Sequence, residues 1–188
     1  HLLALAACAA LLPQGSWALD LASGPPGTKE PYVAPNIIIS IDDSGSMQYR
    51  LDRENQSGAS NTQVPNADGS WPSSARRINV LKYALIGNGG SGGVLRDTSL
   101  LPDGKVRMSW QAMWNNGNAS GAGSVDSTSM NTNSMRVLNT SHRNNLISFV
   151  NGLSAVNGTP SHKMFSQADA YMRRPLSTNS PWASVPGK

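Results

Sequence analysis

Asp42, Ser44 and Ser46 stand at alternate positions of the segment Asp42-Asp43-Ser44-Gly45-Ser46. One carboxylate and two hydroxyls are hard oxygen donors, suited to Mg²⁺, Mn²⁺ or Ca²⁺ rather than to zinc. The segment directly follows Asn36-Ile37-Ile38-Ile39-Ser40-Ile41. That run is apolar at successive positions, which fits a central parallel strand buried on both faces. A loop leaving the carboxyl end of such a strand can aim several side chains into one crevice. Gly45 permits the tight backbone path between the serines. The competing reading is a polar turn after a strand, although such turns are usually poorer in hydroxyls.

Other groups with chemical potential carry weaker signals. Gly87-Asn88-Gly89-Gly90-Ser91-Gly92 fits Gly-x-Gly-x-x-Gly. It follows a helical pattern instead of a strand, so a loop is expected and not a dinucleotide cradle. His142 and His162 lack ligand spacing to another His, Cys or Glu, and read as capping or surface residues. Trp110 and Trp114 read as packing groups. No catalytic constellation emerges, and a metal-dependent hydrolase using the 42–46 loop would lack a credible general base.

The elements that would position the 42–46 loop are legible from periodicity. Residues 50–74 are rich in Asn, Ser and Gly and read as an irregular excursion. Ile78, Leu81, Ala84 and Leu85 have helical spacing over 76–86, with Gly87 as a stop. Val106, Met108, Trp110, Ala112 and Trp114 alternate with polar or small residues, the period of a strand with one apolar face. Residues 115–133 are nearly all Asn, Gly, Ser, Ala and Thr, which predicts a long loop. A helix is expected from Thr140 or Ser141 to about Gly152, burying Leu146, Ile147, Phe149, Val150 and Leu153. Another is expected from Pro160 to about Arg174 with Met164, Phe165, Ala168 and Met172 inward, since proline is favourable at a first helical position. The order strand, helix, strand, helix, helix points to an α/β sheet with helices on its faces.

The ends and composition set the context. Residues 1–18 form a short apolar run followed by Ser16-Trp17-Ala18, the pattern of a secretory signal peptide without its charged n-region. A buried helix, a short anchor or a lipoprotein box ending at Cys8 are the alternatives. Residues 19–35, with four prolines, read as an extended linker, which leaves 36–188 for the folded domain. Cys8 is the only cysteine, so a mature chain cut after Ala18 would have no thiol chemistry. Fifteen basic against eleven acidic residues give +4, without the dense basic cluster of a nucleic-acid surface. The pairs Arg76-Arg77 and Arg173-Arg174 are expected on solvated helix faces. No stable membrane span is expected in the mature chain.

Ile38-Ile39-Ser40-Ile41-Asp42-Asp43-Ser44-Gly45-Ser46-Met47 resembles the first strand and Asp-x-Ser-x-Ser segment of a von Willebrand factor A domain, which belongs to a metal-ion-dependent adhesion site. That resemblance implies a Rossmann-like, mainly parallel central sheet flanked by helices, here incomplete at the C-terminus. It also implies a further hydroxyl from a Gly-Thr-Pro loop before a helix. Asn157-Gly158-Thr159-Pro160 matches, so Thr159 joins Asp42, Ser44 and Ser46 as an expected metal ligand, with a plain helix cap as its alternative duty. The family places an acidic residue after a later strand, and no Asp or Glu follows Asp169. Arg77-Ile-Asn-Val-Leu-Lys-Tyr-Ala-Leu85, Ser141-His-Arg-Asn-Asn-Leu146 and Gly158-Thr-Pro-Ser-His162 are similar to the N-terminal region of the PilY family of type IV pilus biogenesis and tip proteins. The resemblance also implies a C-terminal propeller, to which none of these segments corresponds.

What this resemblance implies is an exported, non-enzymatic adhesion module at a Gram-negative cell surface, pilus tip or outer membrane. Its expected cofactor is a divalent cation, Mg²⁺ with Mn²⁺ or Ca²⁺ as alternatives. Its expected partners are a protein ligand or host-surface receptor and pilus subunits (minor pilins), with no nucleic acid. The alternative is a structural or mechanical pilus-tip domain without ion-dependent binding.

Overall fold

The computed structural model describes residues 33–115 and 133–175. The expected leader, most of the linker and most of the 115–133 loop lie outside the described residues. Strand β1 spans Asn36–Ile41, a 3₁₀ turn spans Gly45–Gln48 and helix α1 spans Arg77–Ile86. Strands β2, Arg107–Ala112, and β3, Arg136–Val137, precede helices α2, Thr140–Gly152, and α3, Ser161–Met172. The described part is a mixed α/β domain with a three-stranded sheet ordered β1-β2-β3. β1 and β2 are parallel, with Ile37 opposite Met108, Ile39 opposite Trp110 and Ile41 opposite Ala112. A parallel pair requires a crossover, and α1 supplies it. β3 pairs antiparallel with β2 over only two residues, Arg107 opposite Val137, so the described sheet is mixed.

Partners in a parallel register share a face, which sorts the core. Ile39, Ile41, Met108, Trp110 and Ala112 meet Ile78 and Ile86 of α1 and Leu146, Phe149 and Val150 of α2 in one apolar cluster. Trp110 is wholly buried, its ring 6.2 Å from Phe149. Each such large apolar side chain contributes roughly 1.5–3 kcal/mol on leaving water. The opposite face is covered by α3 through Ile38, Met135, Tyr171 and Met172. There the Gln111 amide donates to Ser40 Oγ (2.8 Å) and to the Met164 carbonyl (2.9 Å), tying β1, β2 and α3 together.

Helix boundaries follow local chemistry. α1 ends at Gly87, whose φ of 66° would strain an L residue. A Cβ there would also lie 1.8 Å from the Ser91 carbonyl oxygen. α2 is capped by Asn139, whose side chain accepts from the His142 backbone N–H.

Several expectations require correction. β1 was expected at the centre with both faces buried; it is an edge of the described sheet and mostly half-buried, whereas β2 is central and buried from Met108 onward. β2 stops at Ala112, and its alternation does not mean a wet face, because Ser109 and Gln111 are fully buried and Gln111 bonds to α3. In α3 Phe165 is 61% exposed and Tyr171 takes the buried place, its hydroxyl accepting from Met135 N–H. Pro160 is the residue before the helix and not its first turn. Arg76 caps α1 half-buried and donates to the Gly58 carbonyl instead of lying on a solvated face. His142 is neither cap nor surface: it is 3% exposed, stacks 4.7 Å from Trp110 and donates from Nε2 to the Met108 carbonyl. Burial pushes its pKa down, an effect the bond to Met108 opposes and Arg136 reinforces.

Candidate metal centre

Where β1 ends, the chain turns sharply, and the turn is held by its own side chains. Asp42 Oδ1 accepts from Ser44 N–H at 2.8 Å, an Asx-type turn. This leaves Oδ2 with no hydrogen bond to a described residue. The turn brings Ser44 Oγ and Ser46 Oγ to 3.2 Å from each other. Ser44 is buried, while Asp42 and Ser46 are half-buried.

That oxygen spacing provides a test of fit. Oxygens bonded to Mg²⁺ at roughly 2.1 Å in adjacent octahedral positions stand about 3.0 Å apart, and for Ca²⁺ the corresponding spacing is about 3.3–3.7 Å. The serine pair lies between these values, so both hydroxyls can enter one coordination sphere after adjustment of a few tenths of an ångström. The donor set is all oxygen, as hard divalent cations require. Asp42, Ser44, Ser46 and Thr159 therefore fit a divalent cation by donor type, and the first three are adjacent in space.

The second loop is docked on the first through backbone. Ser44 bridges to Val156 in parallel fashion, Val156 N–H donates to the Asp43 carbonyl at 2.9 Å and Gly45 N–H to the Asn157 carbonyl at 2.7 Å. Asn157 adopts φ 58°, a left-handed conformation that asparagine tolerates. A Cβ at position 45 would stand 2.8 Å from that same Asn157 oxygen, so Gly45 is required by close approach. Thr159 follows two residues after Asn157 and is exposed. Its hydroxyl does not cap α3, which begins after Pro160 without any side-chain cap bond.

Asp43 organises the site from behind. Its side chain is wholly buried; Oδ1 accepts from Trp114 N–H at 2.9 Å, and Oδ2 from Asn115 N–H at 2.8 Å and from the Asn115 amide. That amide also donates to the Ser154 carbonyl, and Trp114 Nε1 donates to the Gly158 carbonyl at 2.7 Å. Asp43 thus locks the end of β2 and the 154–158 loop to the end of β1. The sequence assigns Asp43 no place among the expected ligands and gives no direct sign of this role. The doubled Asp42-Asp43 was the available signal, because successive residues leaving a strand face opposite ways, one outward and one inward.

With both Asp43 oxygens committed, Asp42 is the carboxylate free to face a cation. Among the described residues no group of three His, Cys, Asp or Glu side chains could hold a metal, so any cation here rests on one carboxylate and hydroxyls. His162 is exposed on α3. No protein-family model and no curated protein matches this chain.

Proposed function

We propose that this chain is a von Willebrand factor A-like adhesion module of the PilY type, using a divalent cation at Asp42, Ser44, Ser46 and Thr159 to hold an acidic group of a protein ligand. The observation that carries the reading is the 3.2 Å Ser44–Ser46 hydroxyl pair, in the same turn as an Asp42 oxygen that no described residue engages. Asp42 supplies the single negative charge, the two serines supply neutral oxygens at fixed separation, and the bonded 156–157 backbone brings the loop that carries Thr159 alongside. When bound, the cation supplies positive charge that a ligand carboxylate can complete. Asp43 keeps the loops in place without spending a coordinating oxygen. A donor set of low charge leaves the ion electrophilic, which suits capture of an anionic partner.

The setting proposed is export to the cell surface or pilus tip, with the alternative of a mechanical domain that needs no ion. Bacteria producing the full-length protein with Asp42→Ala separate the two. Piliation retained with loss of EDTA-sensitive adhesion supports the ion-dependent reading. Adhesion that is unchanged, and indifferent to EDTA in both strains, supports the mechanical one.

A further inference from the structure

A second site lies away from the 42–46 loop, against the C-terminal half of α1. The Gly87–Ser91 turn, α1 and α2 enclose a cavity of about 310 Å³. The residues lining it include Gln63, Asn79, Asn88 and Asn151, which bear carboxamides, and the basic Lys82 and Arg96, and among them there is no Asp or Glu. The glycine-rich segment, a weak dinucleotide signal in sequence, forms one side of it through Gly87, Gly89 and Gly90.

The two cations are poorly compensated. Lys82 Nζ donates to the Asn151 carbonyl at 2.8 Å, and Arg96 donates from Nε to the Ile86 carbonyl at 2.8 Å. Neither forms an ion pair among the described residues, whose pairs are Arg50–Asp52, Arg143–Asp103 and Arg173–Asp169. Burial pushes the Lys82 pKa down, with no anion among the described residues to offset it. The Asn79 amide nitrogen is committed to the Ser60 and Thr62 carbonyls, which fixes the side chain and leaves its oxygen as an acceptor. Cations without counter-charge select an anionic group, while carboxamides, with donor and acceptor on one rigid plane, match vicinal hydroxyls. The volume is at the small end for ligand sites, too small for a dinucleotide.

We propose that this cavity binds a monosaccharide-sized polyhydroxylated anion, its carboxylate or phosphate held by Lys82 and Arg96 and its hydroxyls by the surrounding carboxamides. Titration calorimetry of the 188-residue chain with D-glucuronate, D-glucose 6-phosphate, D-glucose and inorganic phosphate tests it. Binding of one or both sugar anions is expected, weakened at least about tenfold by Lys82→Met and by Arg96→Gln, the size of one lost charge-assisted contact. Glucuronate alone would assign a carboxylate and glucose 6-phosphate alone a phosphate; either supports the site. Lys82→Met should melt within about 2 °C of the parent, since the ammonium is held by a single exposed bond. It therefore reads on binding even if Arg96→Gln fails to fold. Failure of both sugar anions to bind at about 10 mM, equal binding of glucose, inorganic phosphate binding as tightly as the sugar phosphate, or unchanged affinity in Lys82→Met would overturn the proposal.

Discussion

Replacing Asp43 by asparagine should damage the fold, whereas the same change at Asp42 should leave the metal-free fold nearly intact. Asp43 is 0% exposed and accepts three N–H groups. An asparagine keeping its oxygen toward Trp114 N–H would turn an NH₂ donor toward the two Asn115 donors. Two charge-assisted bonds, roughly 3–6 kcal/mol together, are then lost, and relieved carboxylate desolvation returns about a third of that, for a net loss of about 2–4 kcal/mol. For a chain of this size each kcal/mol moves the melting temperature by about 2–4 °C, so Asp43→Asn should lower it by roughly 4–16 °C. Asp42→Asn keeps the oxygen that accepts from Ser44 N–H and stays half-buried, so it should cost under about 1 kcal/mol. Thermal melts in EDTA, with urea titrations to check a constant slope, decide it. An Asp43→Asn protein melting within about 1 °C of the parent, or an Asp42→Asn protein less stable than Asp43→Asn, would refute the division of labour between the two residues.

Gly45→Ala should push the Asn157 carbonyl out of contact, costing about 1–3 kcal/mol, and should weaken cation binding alongside; calorimetry and melts on one sample check both. Arg143 is 5% exposed and donates to the Leu95 and Leu101 carbonyls and to Asp103, so Arg143→Met should cost about 2–4 kcal/mol by orphaning them, read as a lowered urea midpoint. His142 has its pKa lowered by burial, so the unfolded chain binds the proton more readily than the folded one. Its stabilising contribution is complete above the ordinary histidine value near 6.5 and falls as pH drops from there to the folded value, by at most about 1.4 kcal/mol per pH unit. Melts from pH 8 to pH 5 should show this slope in the parent and a shallower one in His142→Gln. Equal slopes would sink the assignment. The Asp103 carboxyl, held low by its bond to Arg143, adds a separate loss at more acid pH.

The sequence revealed what depends on local pattern and hid what depends on partners. Gly87 and the spacing of Ile78, Leu81 and Leu85 placed α1, and Leu146, Phe149 and Val150 placed α2, because an amphipathic period needs no knowledge of what it packs against. β3 is two residues long and gives no period, yet it places Met135 and Leu138 in the core. β1 looked central because three isoleucines are apolar whichever position they take, and strand order is not written in one strand. His142 looked like a surface residue because only β2 and α2 together bury it. At the candidate metal centre the oxygen-bearing side chains of the 42–46 turn were legible, as was the need for Gly45. The docking of Asn157 on Gly45 and the Asp43–Asn115 lock both join residues more than 70 positions apart, and no spacing rule reports such pairs.

The central claim concerns one cation and one carboxylate, and calorimetric titration of Mg²⁺ and Mn²⁺ into the metal-free chain and its Asp42→Asn variant addresses it directly. One site per chain is expected in the parent, with at least about tenfold weaker binding in the variant, while melting in EDTA stays nearly equal for both. A parent that takes up neither ion at millimolar concentration, or a variant that binds them as tightly, would contradict it.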